Sequence, residues 1–423
     1  MIKFAISTLG CKVNAYESEG YIEGLKAHGL VHVDFKEIAD IYIINTCAVT
    51  NTAAAKSRQK IHQAKKRNPK ALICVVGCFV QTNAEELDVD LLIGSSRKKE
   101  LCDLVLQLLQ SKEKINCVED VSNLKFFEEL PIHSFSGHTR SFLKIQDGCN
   151  QFCSYCIIPY ARGRERSLPM EEALQIANQL VQNHHKEIVL SGIHTGRYGH
   201  DLGTDLLTLL KKMCQIEGLE RIRISSIEMN ELSDDFLSFM KSEKKIARHL
   251  HIPVQSACNR TLKMMNRPYT IEQFIDKINK IRSLMPDISI STDIILGFPD
   301  EREEDFNETL NHLEKIHFSF MHIFPFSKRD GTKACTIPNH LSKDIKKKRC
   351  QRVSFLSKKH YNEYKLKFLN REVEVLFEYE KDGYLFGHTS EYIPLQASLD
   401  KGKVNDMCRL EVTSIKEGIL FSE

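Results

Sequence analysis

Short apolar runs alternate with longer amphipathic stretches in the N-terminal part of the chain. Buried strands are predicted at residues 4–8 (FAIST), 41–45 (IYIIN), 71–76 (ALICVV) and 91–94 (LLIG). A lysine-rich helix is predicted at about 52–67, before Pro69. An earlier helix is predicted to begin at Asn14, where Glu17 would complete a capping box. Since strands alternating with helices favour a parallel sheet covered on its faces, residues 1–118 are predicted to form an α/β domain.

A second series of strands and helices follows a segment of little periodicity. That segment, residues 119–139, contains Pro131 and Gly137 and predicts a linker. The later strands are predicted at residues 141–145, 187–192, 221–226, 249–254, 288–297 and 317–324. Six β/α units within residues 140–366 favour a partial (β/α)6 barrel, and such barrels carry their chemistry at the C-terminal ends of the strands.

The C-terminal segment, residues 367–423, changes to the two-residue period of strands. In REVEVLFEYE (371–380), Val373, Val375 and Phe377 alternate with charged neighbours. This pattern predicts a small antiparallel β-barrel. Aromatic residues on such strands could stack on nucleic-acid bases, but we assign these three apolar side chains to the core.

The composition favours a globular protein of two to four domains, with 42% hydrophobic and 27% charged residues among 423. The chain shows no leader-like start and no apolar run near the roughly 20 residues that cross a bilayer. We therefore expect a cytoplasmic protein with no membrane partner. There the fourteen cysteines would stay reduced, which leaves metal binding, catalysis or plain burial. The net charge of +3 permits a nucleic-acid partner without requiring one.

Three cysteines each follow a predicted N-terminal strand. Cys11, Cys47 and Cys78 stand after the runs at 4–8, 41–45 and 71–76, whereas Cys74 lies inside a strand and is assigned to the core. Ligands of open parallel sheets bind beyond the carboxyl ends of the strands, so these three thiols could meet at one point. The alternative is that they are ordinary small residues in turns.

A second set, Cys149-x3-Cys153-x2-Cys156, lies in the loop after the first barrel strand. A structural zinc site normally has four protein ligands, and a local fourth is missing. A [4Fe–4S] cluster held by three cysteines keeps one iron open for another ligand. The spacing therefore favours an open iron–sulfur cluster, with zinc binding or no metal as the alternative.

Long segments of the chain resemble the radical S-adenosylmethionine (SAM) methylthiotransferase family. The matching segments are GCKVNAYESE, INTCAVTNTAAAKSRQ, VVGCFVQ, CSYCIIPYARGRERS, LSGIHTGRYG, RISSIE, LHIPVQSACNRTLKMMNRPYT, DIILGFPDE and FPFSKRDGTKA. The resemblance implies two [4Fe–4S] clusters, a catalytic one on Cys149, Cys153 and Cys156 and an auxiliary one on the three N-terminal cysteines. It also implies that the tail is a TRAM domain, an RNA-binding module.

The chemistry that this resemblance implies uses two SAM molecules per turnover. One methylates sulfur at the auxiliary cluster, and the other is cleaved reductively to a 5′-deoxyadenosyl radical that removes hydrogen from an unactivated carbon. The cofactors perform the difficult steps, while the protein positions them and excludes water. A flavodoxin- or ferredoxin-like electron donor and a monomeric enzyme are expected, and the sulfur donor stays open.

Several residues at barrel strand ends are predicted to contact SAM. Gly192 and Gly297 would allow close backbone approach, although each could be an ordinary turn glycine. Pro299 would fix the following turn. The polar residues assigned to SAM or substrate are Arg223, Ser225, Glu228 and Gln255. His251 is interpreted as a core histidine.

The family divides by substrate, and the cysteine contexts GCKVN and NTCAVTN are most similar to its MtaB group. That similarity implies methylthiolation of C2 of N6-threonylcarbamoyladenosine at tRNA position 37. The alternatives are isopentenyladenosine in tRNA (MiaB group), an aspartate of a ribosomal protein (RimO group), and an RNA-binding protein whose clusters are structural or redox-sensing.

Basic residues predict contacts with tRNA phosphates. Residues 56–70 hold seven basic side chains, among them Lys56 and Arg58, and the motif beside Cys156 adds Arg162, Arg164 and Arg166. Phosphate contacts would make binding weaker as salt rises. The alternative for the lysine-rich helix is a solvated surface.

Overall fold

A computed structural model of the protein describes residues 1–130 and 139–423. Pro131 and Gly137 of the predicted linker lie outside the described residues. Within the described ranges, no helix combines the length and apolar character needed to cross a membrane.

The N-terminal part is a parallel sheet with strand order β2–β1–β3–β4–β5–β6. Its strands are β1 Lys3–Thr8, β2 Val31–Val33, β3 Ile41–Thr46, β4 Leu72–Gly77, β5 Leu91–Ile93 and β6 Ile115–Asn116. Its helices are α1 Lys12–Ala27, α2 Asn51–Arg67, α3 Cys78–Asn83 and α4 Leu101–Ser111. Every residue of β3 is buried, as expected for a strand covered on both faces.

The predicted capping box at Asn14 is wrong, because α1 begins at Lys12 with Cys11 as its N-cap residue. The amide of Asn14 instead donates to the carbonyl oxygens of Leu9 (2.7 Å) and Thr46 (2.9 Å), and so ties the helix to the sheet. Glu17 is fully buried within the helix. Neither side chain caps the helix; both are directed into the interior of the folded protein.

The central part contains two three-stranded parallel sheets, β7–β10–β11 and β12–β13–β14, together with a short antiparallel pair, β8 and β9. The strands are β7 Arg140–Lys144, β8 Gln146–Asp147, β9 Arg166–Ser167, β10 Glu187–Ser191, β11 Arg221–Ile224, β12 His249–His251, β13 Ser289–Leu296 and β14 Phe320–Pro325. Hydrogen bonds from Ile222 N to Lys245 O (2.7 Å) and from Ala247 N to Ile222 O (2.9 Å) join its two three-stranded halves. The predicted six-stranded arrangement is confirmed.

Helices accompany these strands, and the longer ones cover their outer side. They are α5 Ile158–Arg162, α6 Met170–Gln182, α7 Leu206–Met213, α8 Asp234–Ser242, α9 Asn259–Met264, α10 Ile271–Leu284, α11 Glu303–Ile316, α12 Lys333–Thr336 and α13 Lys343–Leu366. One face of each strand packs on them: Leu250 of β12, Ile290 of β13 and Met321 of β14 are buried in the largest apolar core. The alternate residues consequently face inward, because side chains of a strand alternate between its two sides.

The C-terminal part is a six-stranded sheet of order β18–β15–β16–β17–β20–β19. Its strands are β15 Glu372–Lys381, β16 Tyr384–Thr389, β17 Pro394–Ser398, β18 Met407–Glu411, β19 Ser414–Lys416 and β20 Ile419–Ser422. All neighbouring pairs are antiparallel except β17 and β20, which run parallel. Val373, Val375 and Phe377 are buried in its core, as predicted.

A buried ion cluster attaches this sheet to the barrel. Glu187, at the start of β10, accepts from Arg221 Nη1 (3.1 Å) and Arg223 Nε (2.7 Å). Arg221 Nη2 also donates to Glu374 Oε1 (2.9 Å), and Arg223 Nη2 donates to the carbonyl of Thr389 (3.1 Å). The two arginines therefore bridge a barrel carboxylate and the C-terminal sheet.

Candidate active site

One cavity of about 370 Å³ is lined by cysteines from two separate parts of the fold. The six that line it are Cys11, Cys47, Cys78, Cys149, Cys153 and Cys156. The first three follow the carboxyl ends of β1, β3 and β4, and the others lie in the loop after β8. The structure thus brings all six predicted cysteines together, at the edge where an open parallel sheet binds its ligands.

Two glycines let the N-terminal thiols approach one another. Gly10 has φ +105°, and a Cβ there would lie 2.7 Å from Cβ of Cys47 and 2.9 Å from its Sγ. Gly77 has φ +106°, and a Cβ would come within 2.7 Å of the carbonyl oxygen of Thr46. Both positions need a residue without a side chain, so this end of the sheet is built around the three cysteines.

The thiols themselves suit a metal rather than a free nucleophile. Burial raises the pKa of Cys47 to about 11 and that of Cys156 to about 12. Such thiols stay neutral near pH 7 until a bound metal displaces the proton. Thiolates are the usual ligands of iron–sulfur clusters.

Arg162 connects the two cysteine sets. It is fully buried, and its Nε donates to Sγ of Cys78 at 3.1 Å. Its Nη1 contacts Glu17 Oε1 and Asp147 Oδ1, both at 3.1 Å, and Lys98 reaches the same Glu17 oxygen at 2.7 Å. Burial alone would raise the pKa of Glu17, but the surrounding cations hold it well below its usual range. These buried side chains therefore form an ionised cluster of charges, which links α1 to the barrel.

The predicted phosphate contacts of Arg162 and Arg166 do not fit this geometry. Arg166 is 2% exposed, and its Nη1 donates to the carbonyl oxygens of Arg162 (2.7 Å) and Arg164 (3.0 Å). A guanidinium enclosed in this way cannot reach an external phosphate. Arg164 is exposed and lies 4.7 Å above the ring of Phe152. Among the three arginines of the motif, Arg164 alone has a guanidinium open to a partner.

The two predicted phosphate contacts on α2 lie at the surface. Lys56 and Arg58 are exposed, and Arg58 also stands 3.8 Å from Glu86 and over the ring of Phe79. Contact with RNA stays a prediction for both.

His194 and Arg267 hold the second set of cysteines, and sequence reasoning missed both. Nδ1 of His194 lies 3.6 Å from Sγ of Cys149, and its Nε2 lies 2.5 Å from Glu231 Oε1. Burial alone would lower the pKa of His194, but these two partners raise it to about 10. Arg267 Nη1 donates to Sγ of Cys153 at 3.6 Å. His194 stands in the segment LSGIHTG, two residues after Gly192, and Arg267 in NRPYT, so the resemblance of these two segments to the family was the signal that could have found them.

Three of the predicted SAM contacts line the cysteine cavity: Gly192, Glu228 and Gln255. A Cβ on Gly192 would lie 3.0 Å from that of Gln146. Glu228 pairs with Arg267, and Gln255 holds φ +65°, a conformation that only few residues other than glycine adopt. Ser225 does not line this cavity but lines the adjoining one.

The other three predicted SAM contacts lie elsewhere. Arg223 is 1% exposed and is engaged with Glu187 and the C-terminal sheet, so contact with SAM does not fit its geometry. At Gly297, φ +72°, a Cβ would meet Cγ of Lys346 on α13 at 2.4 Å, so the glycine serves helix packing. Pro299 is buried in the turn before α11. Neither Gly297 nor Pro299 lines the cysteine cavity.

A second cavity, of about 710 Å³, occupies the inside of the barrel, and we call it the lumen. Residues that line both cavities are Cys11, Gly192, Ser226 and Asp293. The inward residues of β12, β13 and β14 line the lumen, and His251 is among them. The interpretation of His251 as a core histidine is wrong, because the strand alternation that buries Leu250 turns both flanking histidines inward.

Family models match both parts of the chain that supply the cysteines. Residues 143–313 match the radical SAM superfamily, and residues 3–93 match the uncharacterized protein family UPF0004. Threonylcarbamoyladenosine tRNA methylthiotransferase MtaB of Bacillus subtilis is 39% identical, over 100% of this chain and 96% of that protein. The MtaB of Aquifex aeolicus is 40% identical, over 89% of this chain and 92% of that protein.

Relatives with another substrate in their names are nearly as similar. A tRNA-2-methylthio-N(6)-dimethylallyladenosine synthase of Thermoanaerobacter is 37% identical over 89% of this chain and 82% of that protein. Among solved structures, the radical SAM methyltransferase TsrM of Kitasatospora setae has a TM-score of 0.57 at 11% identity, covering 79% of this chain and 77% of that chain. At that identity the match concerns the fold alone. The chain belongs to the radical SAM tRNA methylthiotransferases.

Proposed function

We propose that this enzyme adds a methylthio group to C2 of N6-threonylcarbamoyladenosine at tRNA position 37, and that each cysteine triad holds a [4Fe–4S] cluster. The observation that carries the proposal is the shared cavity: two sets of three cysteines, from the N-terminal sheet and from the barrel, line one space. A reaction that joins a sulfur-bearing group to a carbon radical needs both centres beside the same substrate atom.

The residues fit two clusters with an open iron each. Each set supplies three thiols, and within the described residues no seventh cysteine lines the cavity. The glycines at positions 10 and 77 let the chain beside Cys11 and Cys78 approach Cys47 and Thr46 closely, which brings the first three thiols to one end of the sheet. A cluster with only a structural role would gain from a fourth ligand, which favours the catalytic alternative over a redox sensor.

When bound, the clusters and SAM supply the sulfur and the radical chemistry that no side chain provides. The chain's own residues hold and orient. His194 and Arg267 contact the sulfurs of Cys149 and Cys153 and so fix the side-chain directions. Arg162 places a positive charge beside Cys78, which would offset the negative charge of a cluster bound by thiolates. Gly192, Glu228 and Gln255 would face SAM, because they line the same cavity.

Sequence identity does not separate the substrates, since relatives of two substrate classes are 39% and 37% identical to this chain. The context of the N-terminal cysteines, GCKVN and NTCAVTN, supports the threonylcarbamoyl form. The dimethylallyl form and a ribosomal protein are the alternatives, and nucleoside analysis separates them.

The proposal assigns roles to three parts of the chain. Residues 1–118 would bind the auxiliary cluster, residues 140–366 would bind SAM and the catalytic cluster, and residues 367–423 would bind RNA. Lys56, Arg58 and Arg164 are the exposed cations proposed to contact tRNA. A flavodoxin- or ferredoxin-like protein would supply electrons to a monomeric, cytoplasmic enzyme.

Mass spectrometry of tRNA nucleosides from a strain that lacks the gene tests the reaction. We expect loss of the methylthio nucleoside and accumulation of threonylcarbamoyladenosine, with recovery by the wild-type gene but not by Cys78→Ala or Cys156→Ala. Loss of the methylthio form of dimethylallyladenosine would establish the other tRNA substrate instead. An unchanged nucleoside profile would overturn the proposal.

Iron analysis of anaerobically reconstituted protein tests the two clusters separately. We expect about eight irons per chain in the wild type and about four in either Cys78→Ala or Cys156→Ala. Cys350→Ser is the matched control, because Cys350 lies half-buried on α13 and does not line the cavity. A wild-type value of about four irons would contradict a second cluster.

A further inference from the structure

The lumen presents a set of basic side chains in one place. β12 contributes His249 and His251, β14 contributes His322, and α1 contributes Lys12. The ligand atoms of His251, Asp293 and His322 lie within 4.8 Å of one another. The rings of His251 and His322 are 5.5 Å apart between centroids.

Few anionic groups balance this set. Asp293 is the carboxylate among the residues that line the lumen, and its Oδ1 already lies 3.3 Å from Nε2 of His251. Within the described part of the chain, neither Lys12 nor His322 forms an ion pair or a side-chain hydrogen bond. His249 is 8% exposed, and its Nδ1 has no hydrogen-bond partner. A buried nitrogen without a protein partner is costly, and a ligand that accepts or donates a hydrogen bond there would remove that cost.

The pKa values of two lumen imidazoles reflect both their burial and the basic groups around them. Burial lowers the pKa of His322, and His251 and Lys12 lower it further, against the opposing effect of Asp293. Burial also lowers the pKa of His249, and the nearby Arg223, His251, Lys12 and His322 lower it further. A bound anion would offset the effect of the neighbouring basic groups, and a neutral imidazole can still donate its N–H to such an anion.

A divalent metal fits these residues less well than an anion does. Both nitrogens of His251 are engaged, Nδ1 with Ser291 Oγ at 2.9 Å and Nε2 with Asp293. Binding a metal would break one of those contacts, and Lys12 would stand near the added positive charge. An anionic group leaves them intact.

We infer that the lumen binds a carboxylate-bearing substituent on N6 of the target adenosine, with Lys12, His249 and His322 as the anion-binding residues. This inference rests on the proposed function and names what selects its substrate. C2 and N6 belong to one purine. With C2 at the cysteine cavity, the substituent enters the lumen that adjoins it through Cys11, Gly192 and Asp293.

The chemistry of the two candidate substituents differs sharply. A threonylcarbamoyl group carries a carboxylate, a hydroxyl and a urea-like linkage, whereas a dimethylallyl group is a hydrocarbon without a hydrogen-bonding atom. The lumen adds the hydroxyls of Ser225, Ser289 and Ser291 to its cations. Oγ of Ser291 already contacts His249 and His251, so the groups that a dimethylallyl substituent would leave without a partner are Lys12, His322 and Nδ1 of His249. The half-exposed rings of Phe320 and Phe324 on the same wall could pack against the base.

The test compares tRNAs that differ in one group. Reconstituted full-length enzyme receives tRNA bearing the threonylcarbamoyl group, its carboxamide analogue, or the dimethylallyl group, and kcat/KM is measured for each. We expect the wild type to favour the carboxylate over the carboxamide by about tenfold to a hundredfold, as for one hydrogen bond to a charged group. On the carboxylate substrate, His322→Leu should have a lower kcat/KM than the wild type. On the carboxamide substrate, the variant and the wild type should have nearly the same kcat/KM. His322→Gln, which keeps a donor, should recover part of the loss.

Two control measurements show whether a change in kcat/KM comes from recognition of the N6 substituent or from loss of the cofactors. Iron content and SAM cleavage without tRNA should be the same in His322→Leu and in the control His340→Leu, whose ring is exposed and outside the lumen. Equal losses on carboxylate and carboxamide would overturn the inference while leaving the proposed function standing. A stoichiometric divalent metal, present in the wild type and absent from His322→Leu, would replace it with a metal site. A wild type that acts on dimethylallyl tRNA but not on threonylcarbamoyl tRNA would overturn the proposed function itself.

Discussion

Nε of Arg162 donates a hydrogen bond to Sγ of Cys78 across 3.1 Å, although 84 residues separate them in the chain. Arg162 follows the loop that carries Cys149, Cys153 and Cys156, while Cys78 begins α3 of the N-terminal part. This hydrogen bond therefore spans the boundary between the two cysteine sets. Because the same guanidinium also pairs with two buried carboxylates, its charge serves both the cavity and the attachment of the two parts.

Replacing Arg162 is expected to destabilise the protein strongly. Arg162→Met would leave Glu17 and Asp147 buried with fewer cations, and removing one member of a buried ion cluster typically costs about 3–5 kcal/mol. Arg164→Met, two residues along the same loop but exposed, should cost less than about 1 kcal/mol. Urea unfolding of the metal-free proteins, followed by circular dichroism, measures both. Equal midpoints for the two variants would contradict the structural role of Arg162.

The ion cluster at Glu187 predicts a pH dependence of stability. Burial alone would raise the pKa of Glu187, but Arg223 and Arg221 lower it from the ordinary 4.5 to about 2. A carboxyl whose pKa is lowered by folding stabilises the folded protein at any pH above its pKa in the unfolded chain. That contribution disappears as the pH falls from about 4.5 towards 2. The full difference corresponds to about 3 kcal/mol.

The variant Glu187→Gln isolates this contribution. At pH 7 its free energy of unfolding should be lower than that of the wild type, because two buried arginines lose their carboxylate. The gap between the two proteins should narrow between pH 5 and about pH 3. Denaturant unfolding at several pH values measures the gap, and a gap independent of pH would refute the assignment. Since Arg221 and Arg223 also contact the C-terminal sheet, faster proteolysis of that sheet in the variant would locate the effect.

The exposed cations of α2 predict a salt-dependent interaction with tRNA. The double variant Lys56→Ala, Arg58→Ala should bind every tested tRNA more weakly. The slope of log affinity against log salt should fall by about 1 for each phosphate that the variant no longer neutralises. Lys26→Ala, an exposed lysine at the end of α1, is the control. An unchanged slope would assign the helix surface to solvent.

A stacked aromatic pair on the C-terminal sheet predicts a second kind of interaction with RNA. The rings of Tyr379 and Phe386 are 5.1 Å apart and nearly parallel, and Tyr379 is 50% exposed. Tyr379→Ala should weaken tRNA binding by about 1–3 kcal/mol, the usual effect of losing one stacked base, with the salt slope unchanged. Phe126→Ala, at a residue 86% exposed and outside this sheet, should bind normally. Fluorescence anisotropy with labelled tRNA checks both, and equal affinities would exclude stacking at this site.

Local sequence patterns were sufficient to predict most of the strands and the position of the cysteines at their carboxyl ends. Buried parallel strands are recognisable as apolar runs such as IYIIN, so the positions of Cys47 after β3 and Cys78 after β4 followed directly. The short β2, Val31–Val33, was missed because its three residues are all half-buried and make no run of that kind. The spacing of Cys149, Cys153 and Cys156 needed no tertiary information, since one loop carries all three.

The burial of charge depended on the folded chain. In sequence, Glu17 looks like part of a helix cap and Arg162 like a phosphate-binding residue, yet the two meet inside the protein from positions 145 residues apart. The sequence suggests that His251 is a core residue, and only the packing of β12 in the sheet reveals that its side chain faces the lumen. The periodicity of a helix or strand predicts which of its side chains are buried, because the pattern lies within that one element. The partner of a buried side chain is set by elements far along the chain, so the ion cluster and the lumen became visible only once those elements were packed together.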